Sequence, residues 1–155
     1  MDTVLISCDT LEAEVRKVSA VLPRPPRLIF TKAAWHDKPM DQRAALQQEL
    51  DAVGPEVRRV LLAYGLHGGA IKELVTHDFT LVVPRVDDCI PLFLGSREKF
   101  AEASCIPSFF LTAGWLKFSI IDGGLTWLRQ LVTGPWPQTE FLTILPHSRV
   151  RGEEK

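Results

Sequence analysis

The alternation of short apolar runs with segments of helical periodicity constrains the fold more than any other feature of this sequence. Residues 4–6, 27–30 and 57–64 are rich in apolar side chains and are followed by polar residues, glycine or proline, which is typical of buried strands. Leucine and valine recur at helical spacing within 11–22 and 40–53. Further strands are predicted over 79–83, 109–111 and 141–145.

Strands that alternate with helices predict a mostly parallel sheet with helices on both faces. We therefore expect one Rossmann-like α/β domain of five to six strands over residues 1–150, followed by a loose charged tail over 151–155. Thr10 is the expected cap of the first helix. Shorter helices are expected around 71–75 and over 97–103, and the second of these restarts at Gly95-Ser96.

Charge and the length of the apolar runs exclude several classes of partner. The chain carries 18 basic and 19 acidic residues, a net charge of −1, so no field of one sign attracts nucleic acid or an anionic membrane. No apolar run approaches the roughly 20 residues that span a bilayer. The start of the chain has no basic stretch before its apolar run, and its three cysteines lack paired spacing. We therefore expect a protein of the reducing cytoplasm.

Thiols and imidazoles are concentrated in the loops that follow the predicted strands. Cys8 and His36 follow the first and second strands, and His67 and Cys89 follow the third and fourth. The chain has three cysteines and four histidines, and random placement would put about one or two of these in the four loops. Because ligands bind outside the carboxyl ends of parallel strands, we expect the four side chains to lie at one edge of the sheet.

Two thiols and two imidazoles are ligand types that suit zinc and other borderline-soft metal ions. The sequence therefore predicts one transition-metal ion, zinc or iron, bound by Cys8, His36, His67 and Cys89. No zinc-finger spacing is present, so this hypothesis depends on the predicted topology. Four protein ligands would make a structural site, whereas a water in place of one ligand would have a pKa of about 7. Asp88 is expected to support the site and, with Cys89, is a catalytic candidate.

The same loops permit two kinds of chemistry without a metal ion. Cys89 or Cys8 can serve as a nucleophile if His36 or His67 activates the thiol. Alternatively, the glycine turn after His67 can present backbone N–H groups to a phosphate or carboxylate. No dinucleotide-binding fingerprint or phosphate loop is present. The residues predicted to contact a small molecule or cofactor are Gly65, Gly68, Gly69, Thr112 and Trp115.

Other interpretations of these residues stay open. A buried cysteine is usually a small hydrophobic residue, which is the expectation for Cys105 and an alternative for Cys8 and Cys89. A third functional class is an accessory subunit or homo-oligomer whose apolar patch docks a protein partner. The aromatic residues that would form such a patch more often belong to a core; they are Trp127, Trp136 and Phe141.

Several segments of the chain match a recurring pattern. They are YGLHG at 64–68, VPRVDDCI at 83–90, LGSRE at 94–98 and FLTAGW at 110–115. The start ISC at 6–8, the loop HDKP at 36–39 and the end of the chain from 122 to 141 fit the same pattern. Together they resemble an uncharacterised prokaryotic family known as domain of unknown function 1638, and the resemblance covers most of the chain.

The chain departs from that family pattern in three places. Members typically carry Cys-Gly at His67-Gly68, and His-Asp-Cys at Asp87-Asp88-Cys89. They also have a further helical stretch after the position of Trp115, which is missing here. Exchanging a cysteine for His67 keeps a metal-ligand type, which favours coordination over thiol-only chemistry. Some relatives are similar to proteins encoded beside corrinoid-dependent methyl-transfer systems, so the resemblance implies a link to metal or methyl-group metabolism.

Overall fold

The structure, a computed structural model, describes residues 2–32, 38–106, 133–135, 141–144, 146–147 and 149–150, with the backbone alone at His67 and at 141–144. Helices and strands alternate along most of this part of the chain. In chain order they are β1 (Thr3–Cys8), α1 (Glu12–Ala20), β2 (Arg27–Thr31), α2 (Pro39–Asp51), β3 (Arg59–Ala63), β4 (Thr80–Pro84), α3 (Cys89–Leu94), α4 (Arg97–Ala103) and β5 (Phe141–Ile144).

The strands form one sheet in the order β2-β1-β3-β4-β5. The first four are mutually parallel, and β5 runs antiparallel to β4. An α/β fold with a parallel sheet of four strands is therefore confirmed, and the carboxyl ends of these four strands lie at the same edge. The predicted strand over 109–111 lies outside the described residues.

Alternate side chains along the strands build two cores, one on each face of the sheet. Leu46 and Leu50 of α2 pack in the core that contains Val4, Ile6 and Val60. The opposite core contains Leu5 and Leu61 from the same strands, with side chains from α1 and α3. Each large apolar side chain that is fully buried contributes roughly 1.5–3 kcal/mol. Helices therefore cover both faces of the sheet, as predicted.

Most predicted elements are found close to their expected bounds. Helix α2 starts with Pro39, whose missing N–H costs nothing in a first turn, and ends ahead of Gly54-Pro55. The restart before α4 is confirmed, because Gly95 adopts a left-handed φ of 81° and Ser96 accepts a hydrogen bond from the Lys99 N–H at 3.0 Å. No helix in the described ranges is both long and apolar enough to cross a bilayer.

Two local predictions are wrong. The helix expected around 71–75 is replaced by a 3₁₀ turn at His67–Gly69 and further turns, and Glu73 has a φ of 65° that interrupts any helix there. The Glu73 N–H instead donates to the Val150 carbonyl at 2.8 Å. Thr10 does not cap α1, because it lies inside a 3₁₀ turn and the N-cap position is occupied by Leu11.

Candidate functional site

A small cavity lies at the carboxyl edge of the parallel strands. Its volume is about 20 Å³, which is enough for one water molecule or one metal ion. Cys8 ends β1, Tyr64 and Gly65 follow β3, and Cys89 begins α3 after β4. The residues that line the cavity are Cys8, Thr10, Gln42, Ala63, Tyr64, Gly65 and Cys89.

Gly65 brings the start of α3 against the end of β3. A Cβ at this position would lie 2.6 Å from the carbonyl carbon and 2.7 Å from the Cα of Asp88, well inside van der Waals contact. A hydrogen bond of 2.7 Å from the Leu66 N–H to the Val86 carbonyl holds the two chain segments at this separation. The close approach of two backbones is what sets Cys89 beside the end of the sheet.

Each thiol at the cavity has an aspartate as its chain neighbour. Cys8 Sγ donates to Asp9 Oδ1 over 3.7 Å, and burial raises the pKa of Cys8. Burial also raises the pKa of Cys89 well above its ordinary value, and the adjacent Asp88 carboxylate and Cys8 reinforce this shift. Both cysteines are therefore neutral thiols near pH 7 when no cation is bound.

Asp88 is also a structural cap. Its Oδ1 accepts a hydrogen bond of 3.1 Å from the Ile90 N–H and so satisfies a free donor at the start of α3. The carboxylate therefore holds Cys89 at the first position of the helix and faces the thiol at the same time. This dual contact explains why an aspartate precedes the cysteine.

Tyr64 and Gln42 form a polar part of the cavity wall that sequence reasoning missed. The Tyr64 hydroxyl is hydrogen-bonded to Thr31 and to Gln42, and burial raises the pKa of Tyr64, so that the phenol stays neutral. Gln42 could have been found from sequence, since it precedes Leu46 and Leu50 at four-residue spacing on the buried stripe of α2. A polar residue in such a stripe indicates a polar site below it.

The structure places three of the predicted site residues at one cavity. Cys8, Cys89 and Gly65 line one cavity. His36, Thr112 and Trp115 lie outside the described residues, and His67 is described by its backbone alone. Among the side chains that are described, no three of the His, Cys, Asp or Glu type converge on a metal position.

The glycine turn after His67 has its own geometry. Gly68 and Gly69 have φ values of 58° and 75°, a left-handed conformation that glycine adopts without strain. The Gly69 N–H donates to the Leu66 carbonyl at 2.9 Å, so this amide already has an acceptor within the turn. No helix follows the turn, and it therefore lacks the helix dipole that would assist anion binding.

Comparison with known proteins gives the chain a family. The model of a family described as protein of unknown function (DUF1638) matches residues 30–143. The chain belongs to this family. The DUF1638 match includes Tyr64, the His67 turn and Asp88-Cys89, while Cys8 precedes it. Neither the curated proteins nor the solved structures include a significant match.

The described residues on the two sides of segment 33–37, which contains His36, lie at the same edge of the sheet. On the first side is Thr31, the register partner of Cys8 at the ends of β2 and β1. On the second side is Pro39, because a Cβ added at Gly68 would lie 3.2 Å from the Pro39 Cβ. The chain thus enters this segment beside Cys8 and returns beside the His67 turn.

Proposed function

We propose that this protein is a metal-binding α/β protein with a Rossmann-like fold that holds one transition-metal ion, zinc or iron. The proposed ligands are Cys8, His36, His67 and Cys89. The observation that supports this proposal most is that Cys8 and Cys89, which are far apart in sequence, line one ion-sized cavity at the carboxyl edge of the sheet. Two thiols at one point are a ligand set that selects soft and borderline metal ions.

The electrostatics of the cavity favour a cation. Asp9 and Asp88 flank the two thiols, and a bound dication would deprotonate both sulfurs and reverse the unfavourable pKa shift that burial causes. The neutral Tyr64 phenol and Gln42 amide lie in the same wall and can orient a water or a small ligand by hydrogen bonds. The Asp9 and Asp88 carboxylates therefore supply negative charge, and Tyr64 and Gln42 orient the water or ligand.

Chain connectivity supports His36 and His67 as the two imidazole ligands of the proposed set. His36 lies between Thr31 and Pro39 in sequence, and both of these residues lie at this edge. His67 starts a turn that follows Tyr64 and Gly65, two residues of the cavity wall. Three residues of extended chain span at most about 10 Å, so His36 is within reach of Pro39 and of the turn beside it.

The proposed ion has two modes of action, depending on its fourth ligand. With four protein ligands it stabilises the carboxyl edge; with a water in one position it supplies a Lewis acid or a hydroxide near neutral pH. In the second mode, Asp88 is placed to accept a proton beside Cys89. We propose a cytoplasmic protein, since reduced thiols need a reducing compartment, and a link to metal or methyl-group metabolism through its family resemblance.

Metal analysis of the purified protein tests this proposal. We expect about one equivalent of zinc or iron in protein purified without chelator. Replacing Cys8 or Cys89 by serine should abolish the bound metal, while replacing the exposed Cys105 should leave it unchanged. A metal-free wild-type protein after growth in metal-supplemented medium, or full occupancy in both Cys8→Ser and Cys89→Ser, would contradict the proposal.

The alternative of a metal-free thiol enzyme has less support. A thiol nucleophile needs a lowered pKa, whereas the pKa values of Cys8 and Cys89 are both raised by burial. Iodoacetamide should therefore label the exposed Cys105 faster than either cavity cysteine in metal-free protein near pH 7. Faster labelling of Cys89 than of Cys105, measured by peptide mass spectrometry, would favour the thiol enzyme instead.

A further inference from the structure

Three polar side chains of α2 bind the segment from Gly69, the last residue of the His67 turn, to His77. They are spaced four residues apart and therefore lie on one stripe of the helix. Arg43 Nη2 donates to the Gly69 carbonyl at 2.8 Å. Gln47 pairs with the backbone N–H and carbonyl of Val75 at 2.9 and 3.2 Å. Asp51 Oδ1 lies 2.8 Å from His77 Nε2. We call these three residues, Arg43, Gln47 and Asp51, the α2 clamp.

The Arg43 contact differs from the other two because of what it holds. Gly69 ends the 3₁₀ turn that starts at His67, and its carbonyl also accepts from the Lys72 N–H at 3.0 Å. Two successive glycines have the widest choice of backbone conformations of any dipeptide, so this turn has little intrinsic stiffness. A partly buried guanidinium on its last carbonyl is a charge-assisted hydrogen bond from a rigid helix.

The turn is fixed at three points. Before it, the Leu66 N–H binds the Val86 carbonyl on the segment that leads to Cys89. In its middle, Gly68 lies against Pro39 at the start of α2. At its end, Arg43 holds Gly69. The last of these contacts depends on a side chain that can be replaced without changing the strands, the glycines, the cavity wall or the proline that starts α2.

We propose that Arg43 is a positioning residue of the metal site: by holding the Gly69 carbonyl, it fixes the backbone of His67 relative to Cys8 and Cys89. This inference rests on the proposed function, in which His67 is a ligand. Direct hydrogen-bond partners of metal ligands typically change metal affinity 10- to 100-fold when they are removed. Arg43 acts through Gly69, two residues after His67, so we expect an effect near the lower end of this range. The guanidinium acts through the turn and does not touch the ion.

Cobalt(II) titration of the full chain tests this role, because thiolate-bound cobalt(II) has visible bands that report ligand number and geometry. Arg43→Met should weaken cobalt(II) and zinc binding about tenfold or more and shift these bands, while Arg43→Lys, which keeps a donor, should retain part of the affinity. Gln47→Met is the matched control. It removes three hydrogen bonds one helical turn further on, two with the Val75 backbone and one with Asp51, and should keep the wild-type affinity and spectrum.

The outcomes separate this inference from the proposed function. Wild-type affinity and spectrum in Arg43→Met would overturn the role of Arg43 while leaving the metal site intact. Equal losses in Arg43→Met and Gln47→Met would also overturn it, because the effect would then follow general stability, measured in parallel by thermal unfolding. A wild-type protein that binds neither cobalt(II) nor zinc would overturn the proposed function, and this inference with it.

Discussion

Gly65 shows how one residue without a side chain determines the position of another residue's thiol. A Cβ there would lie within 2.6–2.8 Å of three backbone atoms of Asp88, and backbone cannot move aside as a flexible side chain can. The residue was predicted to contact a ligand, and it does line the cavity. Its contact with Asp88 adds a packing reason for glycine that no pattern in the sequence reveals.

Gly65→Ala should therefore damage stability and metal binding together. We expect the free energy of unfolding to fall by about 1–3 kcal/mol, because the start of α3 must move, and metal affinity should fall because Cys89 moves with it. Gly54→Ala is the control, since the three atoms nearest to its new Cβ all belong to the flexible side chain of Glu56. Denaturant unfolding and zinc titration give both values; an unchanged zinc affinity in Gly65→Ala would contradict this account of the site.

Glu14 is a buried carboxylate whose ionisation lowers the stability of the folded state. The residue is 2% exposed, and neither side-chain oxygen has a hydrogen-bond partner among the described residues. Burial raises the pKa of Glu14 above its ordinary 4.5. The folded protein therefore binds this proton more tightly than the unfolded chain, and stability falls as pH rises from about 4.5 through the raised pKa.

Glu14→Met should accordingly stabilise the protein at pH 7 by about 1 kcal/mol, after allowing for the favourable charge that is lost at the start of α1. The gain should shrink toward pH 4, where the wild-type carboxyl is protonated. Thermal unfolding at both pH values measures it. Destabilisation by Glu14→Met at pH 7 would show that the carboxylate has a favourable partner.

At the scale of elements, the α2 clamp attaches the segment from Gly69 to His77 to helix α2. At its far end, hydrogen bonds from His77 and Gln47 lower the pKa of Asp51. The folded pKa lies below the ordinary 3.8, so the stabilisation is fully present above that value and is lost as pH falls through the folded pKa.

Asp51→Asn should remove the part of the acid sensitivity of folding that arises from the lowered pKa of Asp51. We expect its stability deficit to be present above the ordinary pKa of 3.8 and to disappear as the pH falls through the lowered folded pKa. The deficit should be small because the Asp51 side chain is 53% exposed. Urea unfolding across this pH range provides the measurement. A deficit that grows as the pH falls would have the wrong sign for a carboxylate with a lowered pKa.

Sequence patterns predicted the helices that local signals determine. They failed where contacts between residues far apart in sequence determine the backbone. Helices α2 and α4 were predicted because apolar spacing, Gly95 and Ser96 are local signals. The absence of a helix around 71–75 was not predictable, since Glu73 is held in a left-handed conformation by pairing with Val150, far along the chain.

The candidate site was predictable to the extent that it follows from topology. The rule that parallel strands end at one edge placed Cys8 and Cys89 together, and both line the cavity. Tyr64 and Gln42 were missed because each is an ordinary residue by type, and only packing shows that both face this cavity. The ligand roles of His36 and His67 stay predictions.

At the scale of the whole molecule, four parallel strands with helices on both faces deliver two cysteines to one edge. The sheet supplies the shared edge, the close approach of Gly65 to Asp88 sets the separation of the two segments, and burial keeps the thiols neutral. A metal ion at that point would join β1, α3 and the His67 turn, and would stabilise the folded state in proportion to its affinity.

X-ray absorption spectroscopy of the zinc-loaded protein tests the central claim most directly, because it measures the atoms around the ion without reference to activity. The account predicts a four-coordinate zinc with two sulfur neighbours at about 2.3 Å and two nitrogen neighbours at about 2.0–2.1 Å. A first shell of oxygen and nitrogen alone, or two sulfur neighbours that persist in Cys89→Ser, would contradict it.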